Sequence, residues 1–423
     1  MKKVSRTVFS GEFAYIIFLI GAVFKESLPF KFIDLTIAFL LISVAIYLTR
    51  IFKKPTINKK QLLAIAWYCV VIVLFLLSFT FSDSLVYGLD KLLRFMVITG
   101  WSFIGAILII KDRDSLKRFV DGFILITLVG SVVILINTNN RTASGFIGLG
   151  GDNYLGSARM LGMGAVMILP YYLYGNLTKS KSRLILLSLL ITLIALASTG
   201  ARMPFISAMF LLIFMLLQTV RIDRKSLLIR RGTGKLLILF TLISIGLYLF
   251  KDAPVFQTTL NRLSFLLTDS TGGSSASERI RLTQSAIQLF KENPLFGVGL
   301  GGFGINYLGY DGSAYPHNIF LEFLVETGIV GFVLFLSVII IAFVKVFKSF
   351  RTTDYLTASV SSTLIYMFIN AMVSGDFNGN RTFFAFLGLA LMLPLYIKDS
   401  PKGKLIQKEH KEDVEGLRIV WSR

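Results

Sequence analysis

One of only two histidines in this 423-residue sequence stands where a polar stretch runs into a long apolar run. This residue, His317, follows Pro316 and precedes Asn318, a good N-cap residue, and Glu322 falls in the turn that would follow. The sequence therefore predicts a helix that begins here, and its positive end would attract anions and lower the basicity of the imidazole. A neutral imidazole could act as a general base toward a hydroxyl group. A histidine exposed at a membrane interface is the alternative.

The polar segment before this point carries a second predicted helix with an arginine on its apolar face. Ser275 and Glu278 form an S-x-x-E capping box, and the proline after Asn293 favours an end there. At about 100° per residue, Arg279 falls on the apolar face and Arg281 falls opposite. Because an unpaired charge on a buried face is costly, Arg279 needs a partner. It is a candidate functional residue, and a structural ion pair is the alternative.

Between the two predicted helices lies the glycine-rich stretch "GVGLGG", residues Gly297–Gly302. It matches G-x-G-x-x-G, but it follows a helix rather than a strand, so a dinucleotide site is weakly supported. A tight turn that brings the backbone close to a neighbouring element or a phosphate is the better interpretation. The sequence leaves open whether this is a plain turn or a ligand contact.

The rest of the chain has the composition of an integral membrane protein. It is 54% hydrophobic with 38 phenylalanines, and apolar runs of 16 to 20 residues recur along its length. Each run is long enough to cross the hydrocarbon core as a helix, and helices satisfy their own backbone hydrogen bonds there. The single cysteine, Cys69, excludes an intramolecular disulfide and a cysteine-based zinc site.

The hydropathy pattern predicts an all-α integral membrane protein with about twelve transmembrane helices. With Met1 inside, 31 of the 44 Lys and Arg residues fall in segments on the inner side. The net charge of +20 is therefore a topology signal that places both termini in the cytoplasm, and no nucleic-acid partner is expected. The predicted spans are 9–24, 32–49, 61–80, 92–110, 119–137, 159–175, 184–199, 203–220, 236–250, 324–345, 356–373 and 382–397.

This topology divides the chain into four parts. Residues 1–250 hold transmembrane helices one to nine, and residues 251–317 form one large extracytoplasmic loop with short helices, which we expect to be catalytic. Residues 318–397 hold transmembrane helices ten to twelve, and residues 398–423 form a cytoplasmic tail.

Several motifs of the sequence resemble the O-antigen ligase and polysaccharide polymerase superfamily. The most specific block begins at Arg279 as "R-x6-A-x7-P-L-x-G-V-G" and continues with Phe303, "HNIFLE" from His317, and two later glycines, Gly328 and Gly331. The stretches "STGARM" (198–203) and "GNRTFF" (379–384) extend the resemblance more loosely. One departure is Thr283, which stands where many members carry a tryptophan.

The resemblance implies a glycosyltransferase of the bacterial inner membrane, with its active site on the extracytoplasmic face. The donor would be an undecaprenyl-diphosphate-linked oligosaccharide and the second substrate a glycan acceptor; no metal or other cofactor is implied. The many Lys, Ile and Phe residues hint at an AT-rich genome with a capsule or exopolysaccharide cluster, which favours a polymerase accompanied by a flippase and a chain-length regulator. The alternatives are a ligase that moves a finished glycan to lipid A core or a wall polymer, and a twelve-span transporter or flippase.

Roles for individual residues follow from the resemblance and from the chemistry of a diphosphate. Arg202 and Arg279 are expected to bind the diphosphate, because a guanidinium fork pairs with phosphate oxygens bidentately. His317 is the expected base that activates the acceptor hydroxyl, with inversion at the anomeric carbon. Contact with lipid headgroups or ordinary interfacial placement is the alternative for most of a second group of predicted substrate-binding residues. This second group is Arg141, Arg159, Asn318, Arg381, Tyr310 and Tyr315.

Overall fold

The computed structural model describes residues 7–25, 34–53, 57–138, 142, 145–149, 153–223, 226–229, 233–249, 259, 261, 264, 274–350, 352 and 354–398. Its helices are α1 Gly11–Ile20, α2 Leu35–Lys53, α3 Lys59–Phe79, α4 Val86–Arg94, α5 Gly100–Ile109, α6 Arg113–Ile136, α7 Tyr154–Tyr174, α8 Lys179–Ser198, α9 Arg202–Thr219, α10 Thr233–Leu249, α11 Ser274–Glu292, α12 Gly302–Leu308, α13 Ile319–Phe350, α14 Tyr355–Ala371 and α15 Arg381–Lys398. A 3-10 turn, Gly21–Phe24, extends α1, and a π-helical turn, Phe95–Thr99, joins α4 to α5.

Each of the twelve predicted spans coincides with helix, so the helical fold class is confirmed. In the described part of the chain, seven helices are long and apolar enough to cross a membrane, and three shorter apolar helices accompany them. The count of twelve spans and their orientation stay predictions. One short antiparallel hairpin of strands β1 (Val220–Asp223) and β2 (Ser226–Ile229) lies between α9 and α10 and leaves the all-α class unchanged.

Local sequence signals explain where several helices begin. Asn58 accepts a hydrogen bond from the Gln61 amide at 3.0 Å, and the Gln61 side chain accepts one from the Asn58 amide at 2.9 Å, which starts α3. Asp112 and Ser115 form the same reciprocal cap at the start of α6. These capping boxes satisfy backbone donors that have no partner within the helix.

Polar side chains join the helices at two distinct ends of the bundle. At one end, segments predicted to be inside meet, as where Arg113 bonds Asp354 and Arg118 bonds Glu12. At the other end, segments predicted to be outside meet, as where Arg159 donates to the Ser374 carbonyl at 2.9 Å. The second end is called the outer end below, after its predicted side.

An aromatic cluster inside the bundle supports the outer part of α13. The Phe323 ring stacks on Phe335 with centroids 3.9 Å apart and lies 4.6 Å from the ring of Phe377. Phe75 contacts Phe323 and Phe377 at 5.6 Å and 5.3 Å. Such rings bury large apolar areas and restrict one another's orientation. The cluster therefore fixes the first turns of α13, which follow directly after His317.

Candidate functional site

The loop helix α11 has the bounds and the amphipathic orientation that the sequence predicts. It ends at Glu292, next to the predicted Asn293–Pro294 stop. Leu282 and Ala286 are buried in a small cluster with residues of α12 and α13, whereas the Arg281 side chain is 69% exposed. The predicted inward face of α11 is confirmed, and the capping role of Ser275 lies outside the described side chains.

The glycine-rich stretch forms a tight turn against a kink in α13. Gly297 and Gly328 adopt positive φ angles of +73° and +62°. The Val298 amide donates to the Val325 carbonyl at 2.8 Å, and the Ile329 amide donates to the Pro294 carbonyl at 2.9 Å. A Cβ on Gly328 would stand 2.2 Å from the Leu295 carbonyl oxygen, so a side chain cannot fit. The predicted turn is confirmed, and its close neighbour is the backbone of α13.

His317 occupies a constrained position at the start of α13. Its φ angle of +56° is unusual for a residue with a side chain, and its Nδ1 is buried without a hydrogen-bond partner among the described residues. The ring of Tyr315 packs edge-on against the imidazole with centroids 4.6 Å apart. Asn318 Oδ1 accepts from the Phe320 and Leu321 amides at 3.0 and 3.1 Å, which confirms the predicted N-cap. This cap holds the backbone that presents the imidazole.

The charges of two predicted arginines act on His317. Burial lowers the pKa of the imidazole below its ordinary value of 6.5, and the Arg279 and Arg159 guanidinium groups lower it further. The carboxylates of Asp376 and Glu278 act in the opposite direction. His317 is therefore held neutral beside two cations, which is the ionisation state that a general base requires.

Arg159 and Arg381 lie at the outer end and hydrogen-bond mainly to backbone oxygens. Arg159 donates to the Ser374 carbonyl, and its Nε is buried without a partner in the described part of the chain. Arg381 donates to the Leu19 carbonyl and to the Thr36 hydroxyl, both at 3.3 Å. Neither arginine forms an ion pair with a carboxylate of the described residues, so both charges stay available to an anionic ligand.

These two arginines line a common cavity of about 660 Å³ at the outer ends of α1, α2, α7 and α15. Asp376 also lines the cavity and acts on the ionisation of His317, so cavity and histidine share a charged neighbour. A volume of this size is typical of pockets that hold organic ligands.

The comparison with known families agrees with this geometry. The O-antigen ligase family model matches residues 187–336. That segment belongs to the O-antigen ligase and polysaccharide polymerase superfamily. It contains Arg202, Arg279 and His317, whereas Arg159 and Arg381 lie outside it. No curated protein matches the chain.

The structure places the remaining predicted site residues less closely. Arg202 is half-buried at the first position of α9, which packs against the helix that carries Arg159. Tyr310 is 63% exposed. Arg141 lies outside the described residues. The roles of all three stay predictions.

Sequence reasoning missed a buried ion triad next to the site. Lys91 Nζ on α4 lies 2.6 Å from Glu322 Oε1 and 2.7 Å from Glu326 Oε1, and all three side chains are fully buried. Lys91 also stands 4.4 Å above the Phe377 ring. The signal was present, because two glutamates four residues apart in an apolar run share one helix face and need a cation there.

A second missed residue, Asp311, ties the loop to the membrane helices. Its carboxylate accepts from the Ser84 hydroxyl at 2.7 Å and from the Val86 amide at 2.7 Å at the start of α4. The Ser84 hydrogen bond, together with these backbone amides, lowers the pKa of the Asp311 carboxyl. Asp311 lies six residues before His317, so this cap anchors the segment that leads to the histidine.

Proposed function

We propose that this protein transfers a glycan from an undecaprenyl diphosphate donor to an acceptor hydroxyl on the outer face of the bacterial inner membrane. The observation that carries the proposal is the placement of His317, with its buried and unpartnered Nδ1, at the start of a helix inside the segment that the O-antigen ligase family model matches. The charges of Arg279 and Arg159 both act on this histidine. A base beside two cations suits a reaction in which a hydroxyl is deprotonated while a diphosphate leaves.

Each step of the transfer has a residue suited to it. The guanidinium groups of Arg202 and Arg279 bind the donor diphosphate and stabilise the negative charge that grows on it. The neutral imidazole of His317 accepts the proton of the acceptor hydroxyl. The acceptor oxygen then bonds the anomeric carbon, the bond from that carbon to the phosphate oxygen breaks, and the lipid diphosphate leaves with inversion at the carbon.

The second group of residues supports substrate binding in this proposal. Arg159 and Arg381 supply further cationic contacts, since neither is neutralised by a carboxylate of the described residues. Tyr315 orients the imidazole by its edge-on contact. Asn318 acts through the cap that holds His317, and Tyr310 and Arg141 would reach the glycan or the headgroups from the loops.

We further propose that the acceptor is another lipid-linked glycan, so that repeat units of an O-antigen, capsule or exopolysaccharide are polymerised. A flippase would supply the outward-facing donor, and a chain-length regulator would limit the product. The ligase alternative is favoured by the description of the matching family, which is that of O-antigen ligases. Both reactions share the donor chemistry, so the acceptor decides between them.

The test uses the full chain reconstituted in proteoliposomes with purified undecaprenyl-diphosphate-linked repeat unit as the sole glycan. We expect release of undecaprenyl diphosphate and a ladder of longer lipid-linked glycans on a gel. Release only after addition of a separate acceptor would identify a ligase. Movement of the intact lipid across the bilayer without any transfer would identify a transporter and contradict the proposal.

The chain offers a matched pair of variants for the diphosphate role. Arg279→Gln removes the inward cation of α11, and we expect the transfer rate to fall about 10²–10³-fold, as for loss of a group that stabilises developing charge. Arg281→Gln removes an exposed cation of the same helix, which pairs with Glu278 at 3.6 Å, and should leave transfer within about twofold of wild type. Equal rates for the two variants would contradict the assignment of Arg279.

A further inference from the structure

We infer that the cavity between α1, α2, α7 and α15 binds a second isoprenoid diphosphate, which is the lipid end of the acceptor chain. The inference rests on the proposed function, because it concerns the second substrate of that reaction. In this inference Arg159 and Arg381, which lie outside residues 187–336, bind the acceptor, and Arg202 and Arg279 bind the donor.

The apolar part of the cavity wall is aliphatic. Its apolar lining residues include Leu19, Ile37, Leu155 and Met163, and no aromatic side chain lines it among the residues that the structure describes. Sugar rings bind to polar groups and aromatic faces, whereas branched isoprene units gain free energy by contact with aliphatic side chains. The apolar part of the lining therefore suits the lipid end of a substrate, and the polar part also carries the amides of Asn153 and Asn378.

The polar side of the cavity carries uncompensated positive charge. Arg159 and Arg381 both line it, and their guanidinium groups donate to two carbonyls and one hydroxyl of the described residues. The buried Arg159 Nε has no partner among the described residues, so one strong donor is left for a ligand. Two carboxylates also line the cavity: Asp34 acts on the charge of Arg381, and Asp376, which accepts from the Gly379 amide at 2.7 Å, acts on that of Arg159.

The other charged residues on the lining are already paired. Arg94 bonds Asp90 at 2.9 Å, and Lys25 lies 3.9 Å from Asp34. With Arg94 paired to Asp90, three cations of the lining, Lys25, Arg159 and Arg381, face two carboxylates, Asp34 and Asp376. An anion with several phosphate oxygens fits this balance, because guanidinium groups bind phosphates bidentately.

The cavity lies next to α2, the least buried of the seven long apolar helices in the described part of the chain. Only 11% of the apolar stretch Leu35–Phe52 of α2 is buried inside the protein. Ile37 on this helix is 54% exposed and lines the cavity. An isoprenoid chain could therefore enter from the lipid side beside α2. The charges of Arg159 on α7 and of Arg279 on α11 both act on His317. A diphosphate bound by Arg159 and a diphosphate bound by Arg279 would therefore both lie near the same base, His317.

The experiment measures equilibrium binding of geranyl diphosphate, a soluble isoprenoid diphosphate, to the purified full chain in a neutral detergent. Wild type should bind two molecules. Arg381→Gln should weaken one site at least tenfold and leave the other, and Arg279→Gln should do the reverse. Arg183→Gln removes an exposed cation at the start of α8, so it should keep both sites.

A second variant separates loss of binding from loss of folding. Ala22 is exposed and lines the cavity, so Ala22→Phe fills the space without removing a charge. It should also abolish one site, while thermal unfolding of the protein stays close to wild type. Two intact sites in both Ala22→Phe and Arg381→Gln, or a single site in wild type, would overturn the inference.

Two further probes identify the source of the anion. Inorganic pyrophosphate should bind the cavity at least tenfold more weakly than geranyl diphosphate, because it lacks the apolar part. Equal binding of pyrophosphate, or displacement of geranyl diphosphate by phosphatidylglycerol micelles, would show a plain anion or phospholipid site and overturn the inference. Binding needs no turnover, so a protein that binds two diphosphates but transfers nothing contradicts the proposed function and not this site.

Discussion

The two ends of the bundle differ in the partners of four partly buried arginines. At the inner end, Arg113 makes a bidentate pair with Asp354 at 2.5 and 2.9 Å, and Arg118 makes one with Glu12 at 2.9 and 3.2 Å. At the outer end, Arg159 and Arg381 bond carbonyl and hydroxyl oxygens. A carboxylate neutralises an arginine, whereas a carbonyl orients the guanidinium and leaves its charge. The difference supports our proposal that an anionic substrate binds at the outer end.

The outer end does not lack buried carboxylates. Glu322 and Glu326 lie there, but both are directed at Lys91 rather than at an arginine. Lys91 is thus paired with both glutamates and joins α4 to α13. The comparison separates a structural charge from the charges that remain for a substrate.

The largest expected effect comes from breaking the buried triad. Lys91→Met leaves Glu322 and Glu326 buried without their cation, and we expect a loss of about 3–5 kcal/mol in the free energy of unfolding. Thermal unfolding in detergent measures it. A variant that also carries Glu322→Gln and Glu326→Gln should recover most of the loss. If Lys91→Met unfolds at the wild-type temperature, the triad is not a structural element.

The next prediction compares an arginine of the inner end with an arginine of the outer end. Arg113→Gln should lower the free energy of unfolding by roughly 1–3 kcal/mol, because Asp354 loses its partner, and should leave the transfer rate of the folded protein unchanged. Arg381→Gln should lower transfer at low acceptor concentration at least tenfold, with a smaller change in stability. Transfer rates and unfolding curves of both variants test this. The opposite pattern would remove the distinction between the ends.

The smallest expected effect is a change in pH dependence. His317 acts as a base only when neutral, so transfer falls as the pH drops through its pKa, which lies below 6.5 in the wild type. The Asp376 carboxylate raises this pKa, so Asp376→Asn should move the acid limb to lower pH. The Arg159 guanidinium lowers the pKa, so Arg159→Gln should move the limb to higher pH. Superimposable limbs would show that these charges do not act on the catalytic base.

Local features of the site were predictable from the sequence. The apolar runs give the helices, the 100° rotation per residue places Arg279 on the inner face of α11, and Asn318 caps α13 as its type suggests. Each signal depends on residues within a few turns of one another. The same holds for the glycine turn, although its neighbour, the kink at Gly328, was not predicted.

Long-range pairing was not predictable in this way. Arg159 and His317 are 158 positions apart, and Lys91 lies more than 230 positions before the glutamates that it contacts. Such pairs form because separate helices pack together, and no periodicity within one segment encodes which helices meet. For the same reason, the sequence predicts Arg159 and Arg381 as substrate contacts but does not predict that they line one cavity.

The central claim is that His317 deprotonates the acceptor, and one rate measures it most directly. Proteoliposomes with wild type or His317→Ala receive the same purified undecaprenyl-diphosphate-linked glycan, and release of undecaprenyl diphosphate is followed over time. We expect the variant to be slower by about 10²–10⁴-fold at neutral pH, as for loss of a general base, with unchanged binding of geranyl diphosphate. Transfer at the wild-type rate by His317→Ala would contradict the account.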